Sequence, residues 1–203
     1  MDRKQQIIVI HGGTTFNNSE AYSRFLNSFV VNLDKLRYQK DWKDTLQEEL
    51  GSAYDIFQPR MPNSTNAHYN EWRIIFDKIL EKVDEDVVLV GHSLGALFLV
   101  KYLSDNNPTK KIKSLFLVAA PFDGETKESL GSFVLDSSKV ENVRKKVSSI
   151  ILYYSKDDPV VSFSESDKYM RKLPQATLHT LDGRGHFKQE KFPEIINDLQ
   201  NVS

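Results

Sequence analysis

Val87-Val88-Leu89-Val90-Gly91-His92-Ser93-Leu94-Gly95-Ala96-Leu97-Phe98-Leu99-Val100 decides how this chain is read. Four apolar residues, a Gly-x-Ser-x-Gly pentapeptide and a second apolar stretch of helical character, running on to Leu103, spell strand, sharp turn and helix. The pentapeptide alone is weak, since chance supplies it in about one chain in fifteen of this length at ordinary Gly and Ser frequencies. Between a buried strand and a buried helix it gains meaning. The chain then reverses so tightly that the serine side chain is lifted clear of the sheet, as in a nucleophile elbow. Side chains at 91 or 95 would strike neighbouring backbone in such a turn, and Ser93 must accept a strained conformation.

Working outward, five further apolar runs punctuate the chain: Ile7 to Ile10, Tyr54 to Phe57, Leu115 to Ala119, Ile150 to Tyr154 and Ala176 to Leu181. Most are continuous rather than alternating, which predicts parallel strands covered on both faces. Helical stripes lie between them. Trp72, Ile75, Phe76, Ile79, Leu80 and Val83 form the clearest, Trp42, Leu46 and Leu50 end at the stop signal Gly51, and Phe192, Ile195, Ile196 and Leu199 close the chain. Alternating β and α units predict an α/β fold with a doubly wound, mainly parallel sheet and helices on both faces. Residues 1–203 fit one domain.

One segment exceeds the βαβ rhythm. From Thr14 to Lys40, Tyr22, Phe25, Leu26, Phe29, Val30, Leu33 and Leu36 recur at helical spacing, and Asn17 with Glu20 resembles a capping pair. The 14–40 segment is read as an amphipathic helical insertion. It leaves the end of the first strand, where doubly wound sheets bind ligands, so it is either a lid over the site or an extension of the core.

A serine hydroxyl is a poor nucleophile until a base takes its proton, so an elbow serine calls for a histidine oriented by a carboxylate, in the order Ser, Asp, His. Ser155-Lys156-Asp157-Asp158-Pro159-Val160-Val161 follows the fifth strand and Asp182-Gly183-Arg184-Gly185-His186-Phe187 the sixth. Ser93, Asp158 and His186 are therefore the candidate catalytic residues. Asp158 is favoured as the acid, with Asp157 beside it and Asp123, after the fourth strand, as rivals. An Asp-Pro pair also serves plain turn chemistry.

Negative charge on a tetrahedral intermediate requires backbone N–H donors. Leu94, next to the nucleophile, is one candidate; the other comes from His11-Gly12-Gly13-Thr14-Thr15, with Gly13 chosen and Thr14 next. Thr14 and Phe122 are expected to contact substrate. Phe16, Phe133, Phe163 and Phe187 also lie near strand ends, where aromatic side chains line an acyl pocket or simply fill the core. The other histidines read as structural: His92 packed under the elbow, His11 bracing its own loop, His179 in a strand and His68 in a loop. None has the spacing of a metal-ligand pair, so no metal is assigned.

Composition narrows the field. Lys plus Arg number 27 and Asp plus Glu 28, giving no field to recruit nucleic acid or an anionic membrane. No cysteine is present, which excludes disulfides, a thiol nucleophile and thiolate metal sites. No apolar run approaches the ~18 residues of a membrane span, and the first strand starts at Ile7 without room for a leader. A cytoplasmic protein acting on a small-molecule ester or acyl substrate is expected.

With Gly91 to Gly95, Ser155 to Val161 and Gly185-His186-Phe187 before a short terminal helix, the chain resembles the α/β-hydrolases. More narrowly, it resembles the small single-domain serine hydrolases grouped with retinoblastoma-binding protein 9. That resemblance implies esterase-like hydrolysis without a cofactor, Asp158 as the acid, and a six-stranded sheet ordered 2-1-3-4-5-6. The 14–40 insertion and the His-Gly oxyanion loop depart from the family pattern. Two other functions compete: a silent binding protein on a hydrolase fold, and a flavodoxin-like FMN binder whose phosphate loop is Gly12 to Thr15.

Overall fold

Continuous apolar runs become interior parallel strands because both faces of each strand must be covered. The computed structural model describes residues 3–123 and 129–202. Its six strands are β1 (Gln5–Ile10), β2 (Tyr54–Phe57), β3 (Val87–His92), β4 (Ile112–Val118), β5 (Val147–Ser155) and β6 (Thr177–Leu181). They pair in the order 2-1-3-4-5-6, parallel throughout. Every residue of β3 is buried. β4 and β5 each begin three residues before the apolar runs that mark them, through polar positions where the hydroxyls of buried Ser114 and exposed Ser149 meet at 2.7 Å.

The helices are α1 (Ser19–Ser28), α2 (Leu33–Leu36), α3 (Trp42–Leu50), α4 (Tyr69–Leu80), α5 (Leu94–Asp105), α6 (Ser164–Lys172) and α7 (Pro193–Gln200). Two cores result, one on each face of the sheet. Ile8, Ile10 and Leu89 face α4, α5 and α6 through Trp72, Phe98 and Tyr169, whereas Ile7, Val9 and Val90 face α3 and α7 through Trp42 and Leu199. Adjacent residues of β1 thus serve opposite cores, as the period of two requires. α6 has little apolar signal in its sequence, Ser-Glu-Ser-Asp-Lys-Tyr-Met-Arg-Lys, because Tyr169 is its one large side chain buried in the core.

The insertion differs from its sequence reading. Its helical stripe is interrupted after Ser28 and resumes as the short α2, and no residue of α1 is buried. Leu26, Phe29 and Val30 are 52%, 55% and 85% exposed, so this segment does not extend the core. The cap is Asn18, whose side chain accepts from Ala21 N at 2.8 Å. Asn17 instead accepts from Ser129 Oγ at 2.8 Å. The apolar residues that do find partners form a local ring cluster, with Phe16 5.3 Å from Tyr22 and 5.2 Å from Phe25 between centroids.

Candidate active site

Ser93 stands between β3 and α5 with φ 54° and ψ −123°, a conformation that costs of order 1–3 kcal/mol and persists only where the surroundings impose it. Here they do. Ser93 N donates to Val118 O on β4 at 2.8 Å, while Ser93 O accepts from Ala96 N and Leu97 N at 2.9 and 3.1 Å. A Cβ on Gly91 would lie 2.5 Å from Ala96 Cα, and one on Gly95 would overlap the Ile10 and His11 carbonyl oxygens. Strand and helix can approach this closely only through glycine.

His186 reaches Ser93 from the loop after β6. Its Nε2 lies 3.0 Å from Ser93 Oγ, and its Nδ1 lies 2.8 and 3.1 Å from the two Asp158 carboxylate oxygens. Asp158 Oδ1 also accepts from Val160 N at 2.8 Å and Val161 N at 3.1 Å, and the Asp158 side chain is 2% exposed. An ionised carboxylate only accepts, so the proton of the neutral ring sits on Nδ1. Nε2 is then left with its lone pair toward the serine hydroxyl, the arrangement in which an imidazole takes a proton from a nucleophile.

The rival carboxylates stand elsewhere. Asp157 accepts from the Ser155 hydroxyl and from Gly185 N at 3.2 Å. The Ser155 hydrogen bond, reinforced by backbone N–H groups, holds its carboxyl below the usual range. Asp123 pairs with Lys168, which also meets the fully buried Glu165 at 2.7 Å. Glu165 in turn accepts from the backbone N–H groups of Phe122 and Asp123, fixing the turn after β4.

Two hollows open on Ser93. The smaller, with room among the described residues for the centre of about one water molecule (≈ 10 Å³), is bordered by Gly13, Leu94, Pro121, Ser129, Leu130, Val160 and Val161. A larger, more open hollow of about 290 Å³ is bordered by Gly12, Gly13, Thr14, His92, Val160, His186 and Lys188. Among the described residues neither Gly13 N nor Leu94 N donates to a backbone or side-chain acceptor. Leu94 is the first residue of α5, where N–H groups lack partners within the helix. Thr14 N, the alternative donor, is committed to Ser64 O at 2.8 Å. Thr14 borders the open hollow, but Phe122 does not reach either one: it packs edge-on against Tyr169, and Pro121 lines the site in its place. Phe133 and Phe187 are core residues, 0% and 1% exposed.

His92 lies beneath the elbow and does more than fill space. Its ring is buried, its Nε2–H donates to the His186 carbonyl at 3.0 Å, and the two rings are 4.9 Å apart. Burial, reinforced by Lys43 and by His186, pushes its basicity well down, so it is neutral. Trp42 on α3 holds the same loop by donating Nε1–H to the Phe187 carbonyl at 2.9 Å. Sequence offered one signal for these contacts, the adjacency of His92 to Ser93; nothing in it pairs Trp42 with Phe187. His11 braces its loop by accepting from Met61 N at 2.9 Å while Nδ1 meets Gly12 O at 2.6 Å. His179, on β6, pairs with Asp198 at 2.8 Å, and His68 precedes α4.

Among the described residues no three His, Asp or Glu side chains are grouped to hold a metal, and no helix is long and apolar enough to cross a membrane. The family model described as serine hydrolase matches residues 35–199. Serine hydrolase RBBP9 of Rattus norvegicus is 26% identical over 152 residues, which cover 74% of this chain and 78% of that protein. Putative hydrolase YdeN of Bacillus subtilis is 25% identical over 154 residues, covering 74% and 80%. The crystal structure of the ydeN gene product matches 98% of both chains with a TM-score of 0.73 at 19% identity. The esterase domain of a Rhodothermus marinus protein matches 92% of this chain and 80% of its own with a TM-score of 0.59 at 15% identity. The structural likenesses speak to an α/β-hydrolase fold. The family match runs from α2 through α7 and takes in the elbow and both loops that meet it, so the chain belongs to the serine hydrolase family.

Proposed function

We propose that this protein hydrolyses carboxylic esters through an acyl-enzyme on Ser93, with His186 as base, Asp158 as the group that orients it, and the N–H groups of Gly13 and Leu94 as oxyanion donors. The observation that carries the proposal is the continuous relay from Asp158 to His186 (2.8 Å) to Ser93 (3.0 Å), ending on a serine held in a strained elbow.

As Ser93 Oγ attacks the ester carbonyl, His186 Nε2 takes its proton. Asp158 stabilises the imidazolium. The carbonyl oxygen, now negative, turns into the corner formed by Gly13 and Leu94, where fixed N–H dipoles need no reorganisation. Collapse of this intermediate breaks the bond to the alkoxy oxygen, which leaves as alcohol with the proton from Nε2. Water then attacks the acyl-serine with His186 again as base, releasing the carboxylic acid. Thioesters and amides follow the same path with a different leaving atom. The relay gives a silent binding protein no advantage, and the flavin reading has no use for a loop whose Thr14 N–H is already bonded.

Ser93→Ala is expected to abolish labelling by a fluorophosphonate probe and to lower turnover of a p-nitrophenyl ester by about 10⁶-fold. Labelling of another residue in the wild-type protein would overturn the assignment.

A further inference from the structure

We infer that the groove between β2 and α4 is a binding site for an anionic amphiphile, a long-chain carboxylate being the simplest, separate from the site at Ser93. α4 turns Trp72, Phe76 and Leu80 into the core, while Ile75, Ile79 and Val83 form a second row at helical spacing along its flank. That row faces Ile56 and Phe57, on the strand at the edge of the sheet, across a groove of about 700 Å³. A volume of this order suits a small-molecule ligand. None of these residues borders the hollows at Ser93.

The rim of the groove selects the head group. Lys78, on α4, and Lys82, one helical turn further on, both line it, and no acidic side chain does. Among the described residues neither ammonium group has an ion-pair or hydrogen-bond partner, whereas Arg73 on the same helix is paired with Asp77 at 2.9 Å. Two unpaired cations beside a continuous apolar floor complement an anionic head on an alkyl tail. A peptide strand lacks this fit, because the outer edge of β2 is already occupied. Tyr54 O accepts from Gln47 Nε2 at 3.1 Å and Ile56 N donates to Gln47 Oε1 at 3.3 Å, which blocks the ladder bonds that an added strand needs.

The test is calorimetric titration of dodecanoate, kept below its micelle concentration, into the full chain, with dodecyltrimethylammonium, which carries the same tail under a cationic head, titrated in parallel. Dodecanoate is expected to bind, and the cationic amphiphile to bind about 10-fold or more weakly. Each methylene removed from the carboxylate is expected to weaken binding by up to about fourfold. Lys78→Glu combined with Lys82→Glu is expected to weaken dodecanoate by about 10-fold or more at an unchanged circular dichroism spectrum, because like charges then face its head. The neutral pair Lys78→Gln and Lys82→Gln is expected to weaken it less, and serves alone if charge reversal disturbs folding. Equal affinity for the two head groups, or unchanged dodecanoate binding in both variants, as binding at Ser93 would give, overturns the proposal. Self-association in sedimentation that the variants abolish, without dodecanoate binding, assigns the groove to a second copy of this chain and overturns it likewise.

Discussion

Asp157 and Asp158 share one turn after β5 but face different partners, and the difference is set by backbone donors. Val160 N and Val161 N fix Asp158 toward His186 Nδ1, whereas Ser155 and Gly185 N draw Asp157 to the backbone of the His186 loop. Asp158→Asn is expected to lower kcat by up to about 10⁴-fold by imposing the wrong imidazole tautomer, with Asp123→Asn nearly unchanged. Comparable losses in Asp123→Asn and not in Asp158→Asn would refute the assignment. Asp157→Ala removes an anchor of the loop and is expected to cost about 10-fold or more in kcat, since small misplacements of a base are expensive. Adjacent aspartates look alike in sequence; only the turn's hydrogen bonds separate them. His92 gives a pH test. Its folded pKa lies well below the ordinary 6.5, so below pH 6.5 the unfolded chain binds a proton that the folded chain does not. Its contribution to stability is thus fully present above 6.5 and is lost as pH falls, at up to about 1.4 kcal/mol per pH unit. Urea denaturation at pH 5 and 7 should show this slope in the wild type and a shallower one in His92→Gln. Equal slopes would mean His92 does not stay neutral.

The strand-elbow-helix unit and the 14–40 insertion mark the two extremes of what sequence reveals about an element. In the elbow, the glycine spacing, the apolar flanks and the strained serine all follow from one steric requirement, so the reading and the structure agree closely from Val87 to Asp105. Gly95→Ala is expected to prevent stable folding, because its Cβ would overlap the Ile10 and His11 carbonyls of a buried strand end. A soluble Gly95→Ala protein of normal melting temperature would contradict that. In the insertion, periodicity reported helical spacing but carries no information about whether another layer lies opposite the stripe. Phe29→Ser and Val30→Ser are therefore expected to change unfolding free energy by no more than about 0.5 kcal/mol. Phe98→Ala, in contrast, empties a fully buried site and is expected to cost about 3–5 kcal/mol. The same surface variants test the lid reading of residues 14–40. Altered kcat/KM at unchanged stability marks the segment as a cover over the site, and unchanged kinetics marks it as an appendage.

Across the whole molecule, a parallel sheet ordered 2-1-3-4-5-6 brings the ends of β3, β5 and β6 to one edge, so residues 93, 158 and 186 meet although they are far apart in sequence. Alternating helices and strands and the chain order of the three loops made that convergence readable. The scaffold behind it was not readable, because it depends on contacts between the two ends of the chain. The loop from Arg184 to Glu190 is fastened to α3: Trp42 Nε1 donates to Phe187 O at 2.9 Å, Trp42 N to Gln189 O at 2.9 Å, and Thr45 Oγ1 to Glu190 O at 3.2 Å. Two of these donors are side chains that a helical pattern counts only as a core aromatic and a neutral polar residue. Trp42 also packs edge-on against Phe192 and His92, so one residue joins the end of β3 beneath the elbow to the segment that follows the His186 loop. Trp42→Phe keeps an aromatic ring but strands the Phe187 carbonyl, for which a loss of about 1–3 kcal/mol is expected. Because Phe187 follows the base directly, kcat is expected to fall by about 10-fold or more with a smaller change in KM, as relaxation of the loop lengthens the His186 to Ser93 contact. Thermal denaturation and ester kinetics on the same preparation check both halves. A destabilised Trp42→Phe protein with wild-type kcat would show that α3 supports the fold without holding the base.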